Sequence, residues 1–477
     1  MRFLINTVSL IATALAPITA TAQMQPAAAD AATAVAAPLD AKAAEKAAKL
    51  AAKIEAKKQS ELRAKYGDGP YPDQISAYAD AKPDAVRALY RALYVGGERN
   101  AVLNFERLGL AAFEAGLYKE AAWAFDQALS RIETVYADNK QAATARSIFH
   151  NEANKDFKGE PYERAMAYYY RGLIYLRDGD YGNARASFKS AEYQDTLSET
   201  ESFQSDFAVM NYLVGWTQRC EGQNAAAAES FALATKAEKN LTAPPEGDNV
   251  LFLAELGNGP VKARDGSQAQ KLLFQAGADY PENAANVAFA DGANVNTIKL
   301  FQASSVTYQA TTRGGRAIDG IMDGKANWKE GTEQAGDAAM LMGQQRMLSN
   351  PDGGGGMGMM GLGLAMSLFS SAMKTKADIR AWDGLPDLIM VGTTKAGQVG
   401  WTYTPSYLKA DAPVDLKGKG TRADPKGCSI VWMRSRPVAY SEAIAGEDEG
   451  VAASQNRKKA VQEKNKAFRT QLESAGL

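Results

Sequence analysis

The chain has 477 residues, more than one compact core commonly organises, so two or three domains are expected. Its 46% hydrophobic and 23% charged residues are ordinary for a globular protein, and 54 Lys plus Arg against 55 Asp plus Glu leave a net charge of −1. That balance argues against a dedicated nucleic-acid binder, which needs a clustered excess of cations to neutralise phosphates.

Residues 1–22 read as a cleavable secretory signal: Arg2 gives the positive start, Phe3 to Ile18 are mostly apolar, and Ala20-Thr21-Ala22 supply the small residues before a cut at Gln23. The apolar stretch is shorter than the ~20 residues of a membrane-spanning helix. No cysteine lies here to accept a lipid, so the mature protein is expected in the periplasm, with outer-membrane association left open. Cys220 and Cys428 would then meet oxidising conditions that permit a bridge. They lie far apart with no local sign of meeting, so two separately buried thiols are the expectation.

Residues 23–38, almost wholly Ala, Pro, Thr and Gln, read as a disordered linker. Residues 39–66 turn to Ala, Lys and Glu, a helix that sets Lys42, Lys46, Lys49, Lys53 and Lys57 along one face. A solvated face is the simpler reading, and attraction to anionic envelope polymers or head groups the functional one.

Residues 75–241 carry the most informative pattern. Phe105, Leu108, Gly109 and Ala112 share one helix, Gly116-Leu117-Tyr118 makes a turn, and Ala121, Phe125 and Ala128 share the next. The order recurs as Tyr168, Gly172, Tyr175, then Gly179-Asp180-Tyr181, then Ala184, Phe188 and Ala191. A third copy has Val214, Gly215, Gln218, then Gly222-Gln223-Asn224, then Ala227, Phe231 and Ala234. Small residues let two helices approach, aromatic rings fill the space between hairpins, and the turn glycine ends the first helix. The pattern resembles the tetratricopeptide repeat, which implies an all-α domain of helical hairpins. Ala121 to Ala184 spans 63 residues and Ala184 to Ala227 spans 43, against about 34 in that family, which favours a compact, interrupted array. The first interval, residues 136–161, holds the chain's one histidine, His150, in a degenerate hairpin or a loop.

After Thr242-Ala243-Pro244-Pro245-Glu246-Gly247 the pattern turns to apolar runs that predict an α+β, sandwich-like domain over residues 248–440. Strands are expected at Val250 to Ala254, Asn286 to Phe289, Thr297 to Thr311, Asp387 to Val391, Gln398 to Thr404 and Cys428 to Met433, and a helix at Arg316 to Met347. An uncharged Gly/Met-rich insert, Gly353 to Met373, reads first as a buried helix, second as a partner-facing or peripheral membrane helix, and last as a marginal span. Residues 441–477 read as a polar helical tail.

Little here points to chemistry. One histidine leaves no His-rich metal site and no elbow or cysteine neighbour for a triad, and Gly257-Asn258-Gly259-Pro260 reads as a turn because Pro260 lacks the donor a phosphate would need. A carboxylate pair acting on glycans needs no local signature and stays open as the enzymatic alternative. Around Asp378, Arg380 and Trp382 the expectation is the start of a strand in which Arg380 pairs a carboxylate and Trp382 covers core. A cleft joining them to Lys262 and Arg316 would instead suggest function.

The polar segment Asn151 to Met166 with Tyr168-Tyr169-Tyr170-Arg171-Gly172, together with Asn258 to Lys262, Gly315 to Asp319 and Ala377 to Pro386, resembles a family of exported bacterial repeat proteins of poorly defined function. The resemblance spans roughly residues 100–405. Many members look like outer-membrane lipoproteins, some encoded near activators of cell-wall synthases; the absent lipid-accepting cysteine departs from that pattern. The expected function is a periplasmic scaffold or adaptor in envelope assembly, without cofactor, metal or catalytic residue, that binds a protein or peptide partner. Alternatives are a membrane-associating protein using Gly353 to Met373 and a carboxylate hydrolase. Tyr168, Tyr169, Arg171 and Tyr175 are the candidate contact residues, since aromatics and Arg supply most interface hot spots.

Overall fold

The structure, a computed structural model, describes residues 39–67, 69–137, 156–196, 206–265, 271–311, 377–397, 400–416, 418–438, 440 and 459–475. The expected signal and linker, His150, the expected helix at 316–347, the Gly/Met-rich stretch and the first part of the expected tail lie outside the described residues.

Helix α1 (Leu39–Tyr66) stands as a solvated helix. Residues 43–61 are all exposed, and Glu45–Lys49 and Lys57–Glu61 pair at four-residue spacing. Such pairs add a few tenths of a kcal/mol each, so good helix formers account for most of this element.

Residues 62–477 form a second unit. Helices α2 (Pro72–Ala79) and α3 (Arg87–Gly96), then a 3₁₀ turn (Glu98–Asn100), lead into three hairpins: α4 (Ala101–Glu114) with α5 (Tyr118–Ala137), α6 (Pro161–Arg177) with α7 (Tyr181–Thr196), and α8 (Ala208–Cys220) with α9 (Asn224–Ala237). Gly116, Gly179 and Gly222 turn these hairpins in the left-handed region that favours glycine. Inside each, a glycine faces the ring of the second helix: a Cβ would stand 2.8 Å from Phe125 at Gly109, 2.5 Å from Phe188 at Gly172 and 2.8 Å from Phe231 at Gly215. Ala121, Ala128, Ala184, Ala191, Ala227 and Ala234 are likewise buried between the helices.

Strands β1 (Val250–Leu256), β6 (Phe301–Ser305), β7 (Leu388–Thr394), β10 (Lys419–Ala423) and β11 (Ser429–Arg434) form a mixed sheet ordered β10-β11-β1-β7-β6, with β1 parallel to β11 and the other pairs antiparallel. A second sheet, β5-β4-β8-β9, contains β4 (Ala284–Asp291), β5 (Asn294–Lys299), β8 (Thr402–Lys409) and β9 (Ala412–Val414). Strands β2 (Val261–Asp265) and β3 (Lys271–Gln275) make a separate ribbon. All seven residues of β1 are buried because its two faces serve different cores. Val250, Phe252, Ala254 and Leu256 meet Val287 and Phe289 of the second sheet and Trp401 just before β8, while Leu251 and Leu253 join the helices. Helices, first sheet and second sheet therefore stack as three layers, and one apolar core runs from α2 through the hairpins to Ile430 and Trp432.

Two expectations need correcting. Residues 297–311 are not one strand: β5 ends at Lys299, β6 follows, and α10 (Val306–Thr311) begins at Ser305, whose Oγ accepts the Tyr308 N–H at 3.0 Å. Asp387 Oδ1 also accepts the Ser305 hydroxyl, so local capping overrides the alternating pattern. Second, Cys220 and Cys428 are not separate thiols but a disulfide, with Cα atoms 5.8 Å apart across 208 positions of sequence. Stacking helices on the sheet brings the end of α8 beside the start of β11. The tail supplies helix α11 (Lys459–Ser474), which lies on the early helices. Among the described residues, no helix is long and apolar enough to cross a membrane.

The close glycine–ring seats make Gly172→Ala a test of hairpin packing. Overpacking against Phe188 is expected to cost about 1–3 kcal/mol in urea unfolding. Adding Phe188→Leu should recover part of that loss, whereas an unchanged midpoint in Gly172→Ala would show that the seat is loose.

Candidate functional site

The polar groups with most at stake sit at the seam between helices and first sheet. Along β1, positions 251, 253 and 255 face the helices, which carries a glutamate into the apolar layer. Glu255 is fully buried, and four donors reach its carboxylate. Oε1 accepts Tyr169 OH at 3.2 Å and Trp432 Nε1 at 2.9 Å; Oε2 accepts Tyr170 OH at 2.8 Å and Arg434 Nη1 at 3.2 Å. Two donors come from α6 and two from β11. Burial raises the carboxyl above its usual range while Arg434, Trp432 and the two tyrosines oppose it. Burial also pushes Tyr169 and Tyr170 well above an ordinary phenol, with the Glu255 charge adding to it, so both remain donors.

A second cluster lies where α4, α6, β2 and the segment 377–386 converge. Glu163 Oε2 pairs with Lys262 Nζ at 2.6 Å, both side chains being almost wholly enclosed. The same carboxylate accepts the Glu160 N–H at 2.7 Å, capping α6, and the Trp382 N–H at 2.9 Å. Lys262 Nζ donates also to the Arg380 carbonyl at 2.9 Å. Arg380 grips Asp378 through Nη2 at 2.6 Å and donates from Nη1 to Asn100 Oδ1 at 2.7 Å. Burial alone would lift Asp378, but Arg380 beside it holds the carboxyl below its usual range. Arg107 donates to Asp383 at 2.9 Å and so fastens the same segment to α4.

Glu106 differs from these neighbours. Its side chain is completely buried, and neither carboxyl oxygen has a hydrogen-bond partner among the described residues. Burial first, and the Glu163 charge second, hold its carboxyl well above the usual range, against Lys262, Arg164 and Arg107. Among the described residues the buried indole N–H of Trp382 likewise has no acceptor.

The expected Arg380–carboxylate pair and buried Trp382 are present, and Lys262 does join them, though in a filled seam rather than a cleft; Arg316 lies outside the described residues. The segment turns at Asp383 and Gly384 and joins no sheet until β7 begins at Leu388, so it is not the start of a strand. Glu106 and Glu163 are neighbouring acids in this cluster, and both are enclosed by protein, so a glycan does not reach them in this conformation.

The four candidate contact residues separate. Tyr169 is fully enclosed on Glu255 and belongs to the core, which corrects its assignment to a contact surface. Tyr168 is nearly buried and donates to Glu133 at 2.7 Å. Arg171 pairs with Asp126 at 2.7 Å and stands 3.6 Å over the half-buried Tyr175 ring. Tyr168 and Arg171 thus tie α6 to α5, and Tyr175 stands half-buried beside Arg171. Spacing alone could have excluded Tyr169, since 168, 171 and 175 fall on one helix face and 169 does not. The sequence reading missed Glu255, Glu106 and Arg434; the signal for the first was a lone charge inside Val250–Leu256.

Among the described residues, no cluster of three or more His, Cys, Asp or Glu side chains could hold a metal ion. Compared with protein-family models, curated proteins and solved structures, the chain matches none.

The raised carboxyl of Glu106 fixes a sign for pH dependence. An unfolded glutamate titrates near pH 4.3, so stability from the neutral folded form is complete below that value and is lost as pH rises toward the higher folded value. Glu106→Gln, which keeps the neutral form, should raise the urea midpoint at neutral and mildly alkaline pH, with the gain vanishing near pH 4. A gain or loss independent of pH would show that Glu106 is not held neutral.

Proposed function

We propose that this chain is an exported scaffold or adaptor of the cell envelope, whose tetratricopeptide-like hairpins take up a segment of a protein partner. The observation that carries this reading is the glycine-against-phenylalanine seat repeated in three successive hairpins, at Gly109, Gly172 and Gly215. Such a repeat stacks hairpin on hairpin and leaves side-chain grooves between neighbours, the ordinary binding surface of helical repeats.

The groove between α5 and α6 has suitable chemistry. Arg171 is held by Asp126 and by the Tyr175 ring, so its guanidinium is ordered before a partner arrives and loses little freedom on binding. Tyr175 adds a half-exposed aromatic face, and the two together are the residue types that dominate interface energetics. Further along, Tyr193 on α7 and Leu233 on α9 stand more than half exposed at 60% and 53%.

The Cys220–Cys428 disulfide supports the compartment, because such bonds persist in the periplasm and outside the cell but are rare in the cytosol. It agrees with a signal at residues 1–22. The resemblance to exported bacterial repeat proteins adds envelope assembly as the setting.

A photo-crosslinking side chain at position 175 of the exported chain tests the proposal in cells. The expected result is a discrete adduct with one envelope protein, reduced about tenfold by Arg171→Ala. Absence of any adduct from position 175 and from positions 193 and 233 would overturn the scaffold reading.

A further inference from the structure

The C-terminal helix α11 returns to the beginning of the helical layer, and its contacts have the form of a bound peptide. Phe468 and Leu472 are deeply buried, at 2% and 1% exposure, and Asn465 is buried beside them. Phe468 meets Phe105 edge to face with centroids 5.9 Å apart, and the Arg131 guanidinium lies 5.0 Å from the Phe105 ring and 5.2 Å from that of Phe468. Asn465 Oδ1 accepts the Glu98 N–H at 3.0 Å, and Arg469 Nε donates to the Tyr94 carbonyl at 3.2 Å. At the rim Tyr94 OH donates to Glu473 at 2.7 Å, and Arg131 Nη2 to Gln471 at 3.0 Å.

Asn465, Phe468, Arg469 and Leu472 fall at i, i+3, i+4 and i+7, one face of a helix laid in a groove. The other face is polar and exposed. Among the described residues, its main backbone contact is with the 3₁₀ turn Glu98–Asn100, whereas the hairpin helices pack along their lengths. Two apolar anchors, a register-setting amide and a polar rim are what a reversible helix-in-groove contact requires.

We infer that the groove bounded by α3, the 3₁₀ turn, α4 and α5 is a binding site for an amphipathic helix, that α11 occupies it within the chain, and that a partner helix bearing Asn, Phe, Arg and Leu at the same spacing displaces it. This deepens the scaffold reading by naming the class of partner, and rests on that reading only for the partner's existence. An occupied groove weakens any incoming helix by the fraction of time it is free, so release of α11 is the step that admits the partner.

The test uses a labelled peptide of residues 459–474 titrated onto the full chain and onto the full chain carrying Phe468→Ala and Leu472→Ala. The double variant should bind at least about tenfold more tightly, because its own helix no longer competes. Arg131→Ala added to it should weaken binding several-fold, and a peptide lacking the Phe and Leu should not bind. Equal affinity for both chains, or none for either, would overturn the inference.

Lys464→Glu guards against misfolding of the double variant. Lys464 is exposed and pairs with Asp156, so the reversal loosens α11 at its rim without touching the core. It should raise peptide affinity a few-fold, and unchanged affinity would count against the groove. A crosslinked envelope partner with no peptide binding would leave the scaffold standing and remove the groove; peptide binding with no crosslinked partner would do the reverse.

Discussion

Burial of the Glu255 carboxylate between helices and sheet is the constraint on which the rest of the structure depends. A charge taken from water into an apolar layer is tolerated when its oxygens are filled, and here Tyr169, Tyr170, Trp432 and Arg434 fill them from two sides. A hydrophobic residue in its place could pack, but would leave the donors around it unsatisfied, and orphaned buried donors cost about 1–3 kcal/mol each. The network therefore specifies how α6 seats on β1 and β11, in addition to whatever stability it contributes.

The same logic extends along the seam. Glu163 binds Lys262 from the β2–β3 ribbon and the backbone of Trp382, Arg380 reaches the 3₁₀ turn, and Arg107 holds Asp383, so the segment 377–386 is fastened between α4 and α6. The disulfide closes the far end of the seam, joining α8 to β11. Between these polar fixtures the apolar core is continuous, so the helical layer is not free to rotate on the sheet. On the proposed reading, a partner docking between α5 and α6 meets a rigid support, which suits recognition by ordered side chains. Glu106 departs from this pattern, with both carboxyl oxygens buried and unpartnered among the described residues, and its neutral form relieves the conflict.

Much of the local architecture was legible in the residues. Small residues and rings at fixed offsets located the three hairpins, and the unbroken apolar run Val250–Leu256 located the central strand, because burial on both faces removes alternation. Non-local pairing was not legible. Glu255 finds its donors 85, 86, 177 and 179 positions away, and Cys428 meets a cysteine 208 positions earlier. No local pattern encodes such distances. The ribbon of β2 and β3 was missed because its outward face, with Val261 and Leu273 exposed, lacks the apolar-in, polar-out signature. Tyr169 was misplaced for a simpler reason, as Tyr168, Tyr169, Arg171 and Tyr175 were read together although the helix points Tyr169 away from the other three.

The central claim is that helices and sheet form one cooperative structure through Glu255, and native-state hydrogen exchange resolved by element tests it most directly. The slowest amides of α6 and β1 should open with the same free energy, and Glu255→Ala should lower both together by about 3–5 kcal/mol. If β1 lost protection while α6 kept its own, the two layers would be independent and Glu255 a local contact only.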